Sequence, residues 1–465
     1  MKRTTFPTPQ DAEAAFYEAL ERADLEGMMQ VWAEDEEIVC IHPTGARLTG
    51  YEQVRESWSQ IFSSRQRLQV HLSNQVVVHG MMLSIHSLHE NILVAGALSA
   101  ARRRERRAEG AALVSRARTL RAESKGLGVE PGPQHRATPG AGARAAAEPY
   151  RAPWWLPGGN AQTIYAALFA RLPRPSVRRE QWETPDGDFV DVDRVDGSPD
   201  APLLALFHGL EGGTASHYAR AMLAAAHASG WRAALPHFRG CGGEPNRLPR
   251  AYHSGDSAEI DWMLRRLAGE GGPSPLYAMG VSLGGNALLK WLGERGRAAR
   301  AVVRAAASVS APLDLTAAGE ALGRGFNLVY TRNFLATLKR KSAAKLARFP
   351  GLFDGERVVR ARTLREFDDV VTAPLHGFRD VTDYWARASS KPWLRGIEVP
   401  TLVLNAANDP FLPVEYLPRA DELAPCVVLE CPGTGGHVGF VSGPFPGRYD
   451  WLPRRVLAFF EAADS

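Results

Sequence analysis

Apolar and polar positions follow two different rhythms along this chain, and a third stretch between them follows neither. From Asp11 to Gly27 apolar residues return with helical spacing, which makes Ala14, Ala15, Tyr17, Leu20 and Leu25 the candidate buried positions of a helix. Glu37 to His42 reads as a strand closed by Pro43-Thr44-Gly45, and Gly50 to Phe62 reads as a second helix. Two alternating stretches follow, Leu68 to His79 and Met81 to Ala95. Residues 1–98 are therefore expected to form a small α+β domain.

From residue 150 onward the rhythm changes to strand, helix, strand. Short apolar runs at Leu203–His208, Arg232–His237, Leu276–Val281, Ala301–Ser308, Thr401–Asn405 and Val427–Glu430 have the continuity of strands buried on both faces. Helical patterns at Ser216–Ser229, Ser257–Ala268 and Gly284–Glu294 lie between them. Alternation of this kind predicts a doubly wound, mostly parallel sheet. One interval, residues 312–395, is far longer than a crossover helix. Its helix-like patches (Asn327–Leu346, Arg360–Val370, Thr382–Ser389) predict a helical cap inserted into the sheet.

Composition explains the stretch between. In residues 100–149, Ala, Arg and Gly fill 29 of 50 positions, and Ile, Met, Phe, Trp and Tyr are all missing. So little apolar area cannot offset the entropy of ordering, so 99–149 is expected to be a disordered linker or insert. A frame-shifted junction would give the same composition. The segment also carries ten Arg and one Lys against five Glu, a surplus of +6 in a chain of net charge +4. The rest of the molecule is slightly acidic, which argues against a nucleic-acid partner for the folded parts.

The chain has 465 residues, two or three domains at roughly 150 residues each. No apolar run approaches the ~18 residues of a membrane-spanning helix, and the polar sequence after Met1-Lys2-Arg3 predicts no secretory signal. The four cysteines, Cys40, Cys241, Cys426 and Cys431, form no C-x-x-C pair, so neither a disulfide framework nor a zinc site is expected. That usage fits a reducing cytoplasm.

The central chemical signal is Gly280-Val281-Ser282-Leu283-Gly284-Gly285, placed where an apolar strand meets a helix. A serine on a sharp strand-to-helix turn needs neighbours without side chains, and that context turns a G-x-S-x-G match into a nucleophile hypothesis. A plain glycine-rich turn is the bland alternative. A serine hydroxyl needs a histidine to take its proton, and the histidine needs an acid to hold its tautomer. Asp409 follows the strand Thr401–Leu404, and His437 follows Val427–Glu430, in the chain order serine, acid, histidine. Asp314 and Asp354 are rival acids without a clean strand before them. His208, His237 and His253 precede Ser282, which makes them poor bases. For the oxyanion, the amides of Leu283 and Leu210 are the candidate donors, with Gly209 letting the backbone approach. Cys241 could be read as a thiol nucleophile, but it lacks the turn and is more simply a small buried residue.

Taken together, these stretches resemble the YheT-type branch of the α/β-hydrolase superfamily, the AB hydrolase 4 family. Its carriers are Ala152-Pro153-Trp154-Trp155-Leu156-Pro157 with Gln162-Thr163, Phe207-His208-Gly209-Leu210-Glu211-Gly212, and Phe238–Cys241 running on to Glu244–Arg247. Gly280–Trp291, Asn408-Asp409-Pro410 and Gly435–Phe440 complete the set. The resemblance implies a serine hydrolase of carboxylic esters, lipid-like ones included, with Ser282, Asp409 and His437 as its triad and no cofactor. Asn160 and Ala166 depart from the His and Pro expected in the opening segment, a difference that bears on the substrate lip and not on the triad. The N-terminal domain resembles the SnoaL-like fold of the nuclear transport factor 2-like superfamily, through its first helix, Met28–Asp35 and Gly50–Trp58. That fold is a cone of curved sheet around helices, and here its last strands are missing. Its expected role is oligomerisation or none, which leaves a homodimer open.

Three functions compete on these grounds. The first is a cofactor-independent esterase acting on a small-molecule or lipid ester. The second is a thioesterase or amidase with the same triad, since acyl chemistry is shared. The third is a binding protein on a hydrolase scaffold, which has no need to keep serine, acid and base together. Phe326, Leu328, Val329 and Phe334 of the cap are the residues expected to line an acyl pocket.

Overall fold

The computed structural model describes residues 9–32, 38–41, 47–63, 68–79, 84–94, 149–170 and 172–463. Two compact units divide the chain at a boundary between Arg136 and Ala137. The expected linker lies outside the described residues except for Pro149.

In the N-terminal unit the single expected helix is two, Pro9–Arg22 and Leu25–Val31. The chain breaks at Ala23, whose φ is +53°, and Asp24 caps the second helix by accepting from the Gly27 amide at 3.1 Å. The break changes which residues are buried. Ala14 is exposed, whereas Ala19, Leu20, Met28 and Met29 pack with Val54 and Trp58 of the helix Tyr51–Ser63. Strands β1 (Val39–Ile41) and β2 (Arg47–Thr49) pair antiparallel, and so do β3 (Leu68–His79) and β4 (Ser84–Val94). Glu37 and His42, at the ends of the expected first strand, lie outside the described residues.

The second unit is built on eight strands: β5 (Arg178–Glu183), β6 (Phe189–Val195), β7 (Leu203–Phe207), β8 (Arg232–Pro236), β9 (Leu276–Val281), β10 (Ala305–Val309), β11 (Thr401–Leu404) and β12 (Val427–Glu430). Their order across the sheet is β12-β11-β10-β9-β7-β8-β6-β5. The six from β12 to β8 run parallel, and β6 and β5 add an antiparallel edge. Both faces are covered. In β7, Leu203, Ala205 and Phe207 enter one core with Trp291, while Leu204 and Leu206 enter the other with Tyr277 and Met279.

Residues 312–395 form a helical cap between β10 and β11. Its longest helix is Leu328–Arg348, and Val381–Ala388 returns the chain towards the sheet. The helix expected over Arg360–Val370 is broken after Arg360, because Thr363 caps a new start by accepting from the Glu366 amide.

Candidate active site

β9 ends at Val281, and the helix Leu283–Arg295 begins one residue after Ser282, which holds φ +53° and ψ −120°. Non-glycine residues rarely adopt this region, and here the surroundings impose it. The Ser282 amide donates to the Val309 carbonyl of β10 at 2.9 Å. A Cβ at Gly280 would stand 2.4 Å from the Gly284 carbonyl oxygen, and one at Gly284 would stand 2.5 Å from that of Phe207. Only glycine fits at either place.

The loops after β11 and β12 bring two side chains to this serine. His437 Nε2 lies 3.0 Å from Ser282 Oγ, and His437 Nδ1 lies 2.9 Å from Asp409 Oδ2. Asp409 is buried and its Oδ1 also accepts the Phe411 amide at 2.8 Å. The Phe411 ring stacks on the imidazole with centroids 4.0 Å apart, shielding it from water.

The segment Gly159–Phe169 holds both loops from behind. Gln162 Oε1 accepts from the Gly435 amide (2.8 Å) and from Asn408 Nδ2 (3.1 Å). Thr163 Oγ1 accepts the His437 amide at 2.8 Å, and Asn408 Oδ1 accepts the Gly436 amide at 2.9 Å. Gln162 and Thr163 entered the sequence reading only as carriers of a resemblance. Their contacts to the two loops span 246 to 274 positions and leave no spacing signal.

The oxyanion candidates sit on the opposite side. Leu283 opens its helix, so its amide has no partner within that helix. In the loop after β7, the Gly209 carbonyl accepts the Gly212 amide at 3.0 Å and meets His208 Nδ1 at 2.7 Å. His208 Nε2 accepts the Phe238 amide, so Nδ1 carries the proton, and complete burial pushes this imidazole down to about 3. With the carbonyl anchored, the trans peptide turns the Leu210 amide the other way. The Gly209 and Glu211 amides are taken by the hydroxyls of Tyr218 (2.8 Å) and Tyr252 (2.9 Å). The Leu210 amide has no acceptor among the described residues. Gly209 lies against the serine, since a Cβ there would stand 3.1 Å from Ser282 Cβ.

The rivals are otherwise employed. Asp314 and Asp354 cap the helices Leu315–Leu322 and Gly355–Arg360. His237 Nε2 meets the buried Asp193 at 2.9 Å. Burial pushes the Cys241 thiol up to about 11, the wrong direction for a nucleophile.

A cavity of about 390 Å³ opens at Ser282 and His437 and runs under the cap. Leu315, Leu322, Phe334, Leu338, Phe367 and Val371 form much of its apolar wall. Of the expected acyl-pocket residues Phe334 lines it, whereas Phe326 and Leu328 are exposed and Val329 is not among the lining residues. Phe326 lies in the short turn before the long helix, and Leu328 and Val329 start that helix, whereas the pocket takes its later turns. No group of three His, Cys, Asp or Glu suited to a metal occurs among the described residues, and no described helix is long and apolar enough to cross a membrane.

Residues 202–444 match the α/β hydrolase fold family, just over half of the chain. The chain belongs to that family. Residues 10–96 match the SnoaL-like domain family. The chain is 41% identical over 300 residues to the "Putative esterase YheT" of Escherichia coli (strain K12), covering 63% of this chain and 88% of that one. It is 29% identical over 325 residues to phospholipase ABHD3 of Mus musculus, covering 68% of this chain and 79% of that one. Among solved structures, a bacterial membrane phospholipase A is 18% identical with a TM-score of 0.41, covering 66% of this chain and 90% of that one. The hydrolase unit is similar in sequence to these two curated relatives, one described as an esterase of the YheT type and one as a phospholipase.

Proposed function

We propose that this chain is a serine esterase that cleaves carboxylic esters bearing an apolar acyl chain, through Ser282, His437 and Asp409. The observation that carries the reading is the unbroken hydrogen-bond line from Ser282 Oγ through His437 to Asp409, at 3.0 and 2.9 Å, at the mouth of an apolar cavity. In the first half-reaction Ser282 Oγ attacks the ester carbonyl carbon as His437 Nε2 takes the hydroxyl proton. Asp409 holds Nδ1–H and stabilises the imidazolium. The carbonyl oxygen becomes an oxyanion facing the Leu283 and Leu210 amides, preorganised donors whose effect is largest where water is excluded. The intermediate collapses as His437 returns the proton to the leaving alcohol. Water then repeats the sequence on the acyl-serine and releases the acid.

The relatives named esterase and phospholipase support the ester class, and the cavity under the cap supports an acyl chain over a small alcohol as the buried part. The test is labelling with a fluorophosphonate, whose phosphorus an activated serine attacks with loss of fluoride, on the wild type and on Ser282→Ala. Labelled wild type and unlabelled variant are expected. An unlabelled wild type favours the binding-scaffold reading. Nitrophenyl esters of rising chain length then report how much of the cavity is used.

A further inference from the structure

Beneath the cap, the apolar wall of the cavity is interrupted by a carboxylate. Asp368 opens a π-helical turn, Asp368–Thr372, and lines the cavity beside Phe367, Val371 and Trp385. Trp385 Nε1 donates to its Oδ2 at 2.9 Å, and Thr372 Oγ1 donates to its Oδ1 at 2.6 Å. Asp368 forms no ion pair among the described residues. Each carboxylate oxygen can accept twice, so acceptor capacity is left on both. Burial raises this carboxyl from its ordinary 3.8 to about 6, as expected of a charge that is only partly compensated. His376, which ends the same short stretch of cap, also lines the cavity. Neither of its buried ring nitrogens has a hydrogen-bond partner among the described residues. Interiors seldom leave such groups unmet.

We infer that Asp368 is a specificity residue that accepts a substrate hydroxyl, so that the preferred esters carry a hydroxyl group within an otherwise apolar buried part. This rests on the esterase reading and narrows its substrate class. A plain alkyl chain filling the cavity would strip water from the carboxylate and return no hydrogen bond. A hydroxyl at that point takes the place of the water and donates to an ionised acceptor. An ammonium group would also suit a carboxylate, but positive charge already lines this cavity. Lys345 Nζ bonds only the Asn246 side-chain oxygen and the Leu248 and Arg250 carbonyls, and Arg348 bonds the Asn246 and Arg247 carbonyls. A neutral hydroxyl avoids that repulsion. It also suits His376, which burial lowers to about 3 and so keeps neutral, able both to donate and to accept. The hydroxyl could arrive on either side of the scissile bond, on the acyl chain or on an alcohol such as glycerol.

Asp368 could instead serve only to hold Trp385, and the two roles separate in substrate preference. The experiment takes the full chain at pH 8, where the carboxyl is ionised, and compares wild type, Asp368→Leu and Asp368→Asn. One arm measures kcat/KM for nitrophenyl octanoate and its 3-, 6- and 8-hydroxy derivatives, which place the hydroxyl on the acyl side. The other compares glyceryl with ethyl octanoate, which place it on the alcohol side. In at least one arm the wild type is expected to favour the hydroxylated ester by about tenfold to a hundredfold, the worth of a hydrogen bond to a charged group. The arm that shows it identifies the source. Asp368→Leu is expected to abolish or reverse that preference, by losing the hydroxylated ester and gaining on the plain one. Asp368→Asn keeps one acceptor oxygen and is expected to fall between. Fluorophosphonate labelling reports whether each variant keeps its active serine. If Asp368→Leu does not fold, the wild-type preference and Asp368→Asn still decide. A wild type that favours the plain ester in both arms, or variants that slow all esters equally, overturns the inference and leaves the esterase reading intact. An inactive wild type, or a Ser282→Ala variant that remains active, removes both.

Discussion

At the scale of single residues, the line from Ser282 to His437 to Asp409 makes its kinetic consequences specific. Replacing any of the three by Ala is expected to lower kcat by roughly 10³–10⁶ with little change in KM, and double replacements should cost little more than single ones. Asp314→Ala should stay near wild-type activity, because that carboxylate only caps a helix. If instead Asp314→Ala abolishes turnover and Asp409→Ala does not, the acid is misassigned. Gln162 gives a second prediction. Its amide oxygen ties the Gly435 amide to Asn408, and so holds the base loop against the acid loop. Gln162→Leu should keep the fold yet lower kcat by about a hundredfold, the cost of a small misplacement of reacting groups. Steady-state kinetics beside a circular dichroism melt would read both effects. The residues proposed as serine, acid and base could be picked out in the sequence because each such role needs a fixed residue type at a strand end. Gln162, Thr163 and Tyr252 could not, because an amide or hydroxyl bonded to a distant backbone group has no such requirement.

At the scale of elements, what was legible depended on burial. The interior parallel strands announce themselves as apolar runs because both faces are covered. The edge pair β5 and β6 escaped, since β6 carries Asp191 and Asp193 among its apolar residues and breaks the run. Asp193 is buried there because Arg179 and His237 bond it, at 2.7 and 2.9 Å. In the cap the existence of helices was readable and their facing was not. Phe334→Ala and Leu338→Ala should therefore shift acyl-chain preference towards longer esters, whereas Phe326→Ala should leave it alone. Stability changes without any shift in preference would mean that these residues only pack the cap. The loop after β7 adds a pH dependence. His208 is fully buried, and burial lowers it from the ordinary 6.5 to about 3, so its folded value lies below its unfolded one. Its contribution is fully present above about pH 6.5 and is lost as the pH falls, amounting to about 2 kcal/mol by pH 5. Urea midpoints measured between pH 8 and 5 should fall accordingly, and His208→Gln should flatten that slope even if it starts from a lower midpoint. An unchanged slope would mean the imidazole is solvated.

At the scale of the whole molecule, two units share one chain, and the chemistry sits in one of them. Every side chain assigned to the proposed site, from Gln162 to His437, belongs to the second unit, as do the sheet, the cap and the cavity. The N-terminal unit has its own core, in which Met28, Met29, Val54 and Trp58 pack with Phe16, and none of these residues lines that cavity. Residues 10–96 and 202–444 also match two different families, so the two units have separate evolutionary templates. We therefore propose that residues 150–465 form an independent catalytic domain. A protein comprising those residues should retain the kcat/KM of the full chain and unfold in a single transition of its own. The full chain should show that transition plus a second one, the second belonging to the N-terminal unit. Calorimetry and ester hydrolysis on both proteins decide it. If removing residues 1–149 abolishes turnover while the remaining fold and its fluorophosphonate labelling persist, the N-terminal unit contributes to substrate capture and the domain assignment fails. If activity and transition both survive, the acyl pocket under the cap is complete without it.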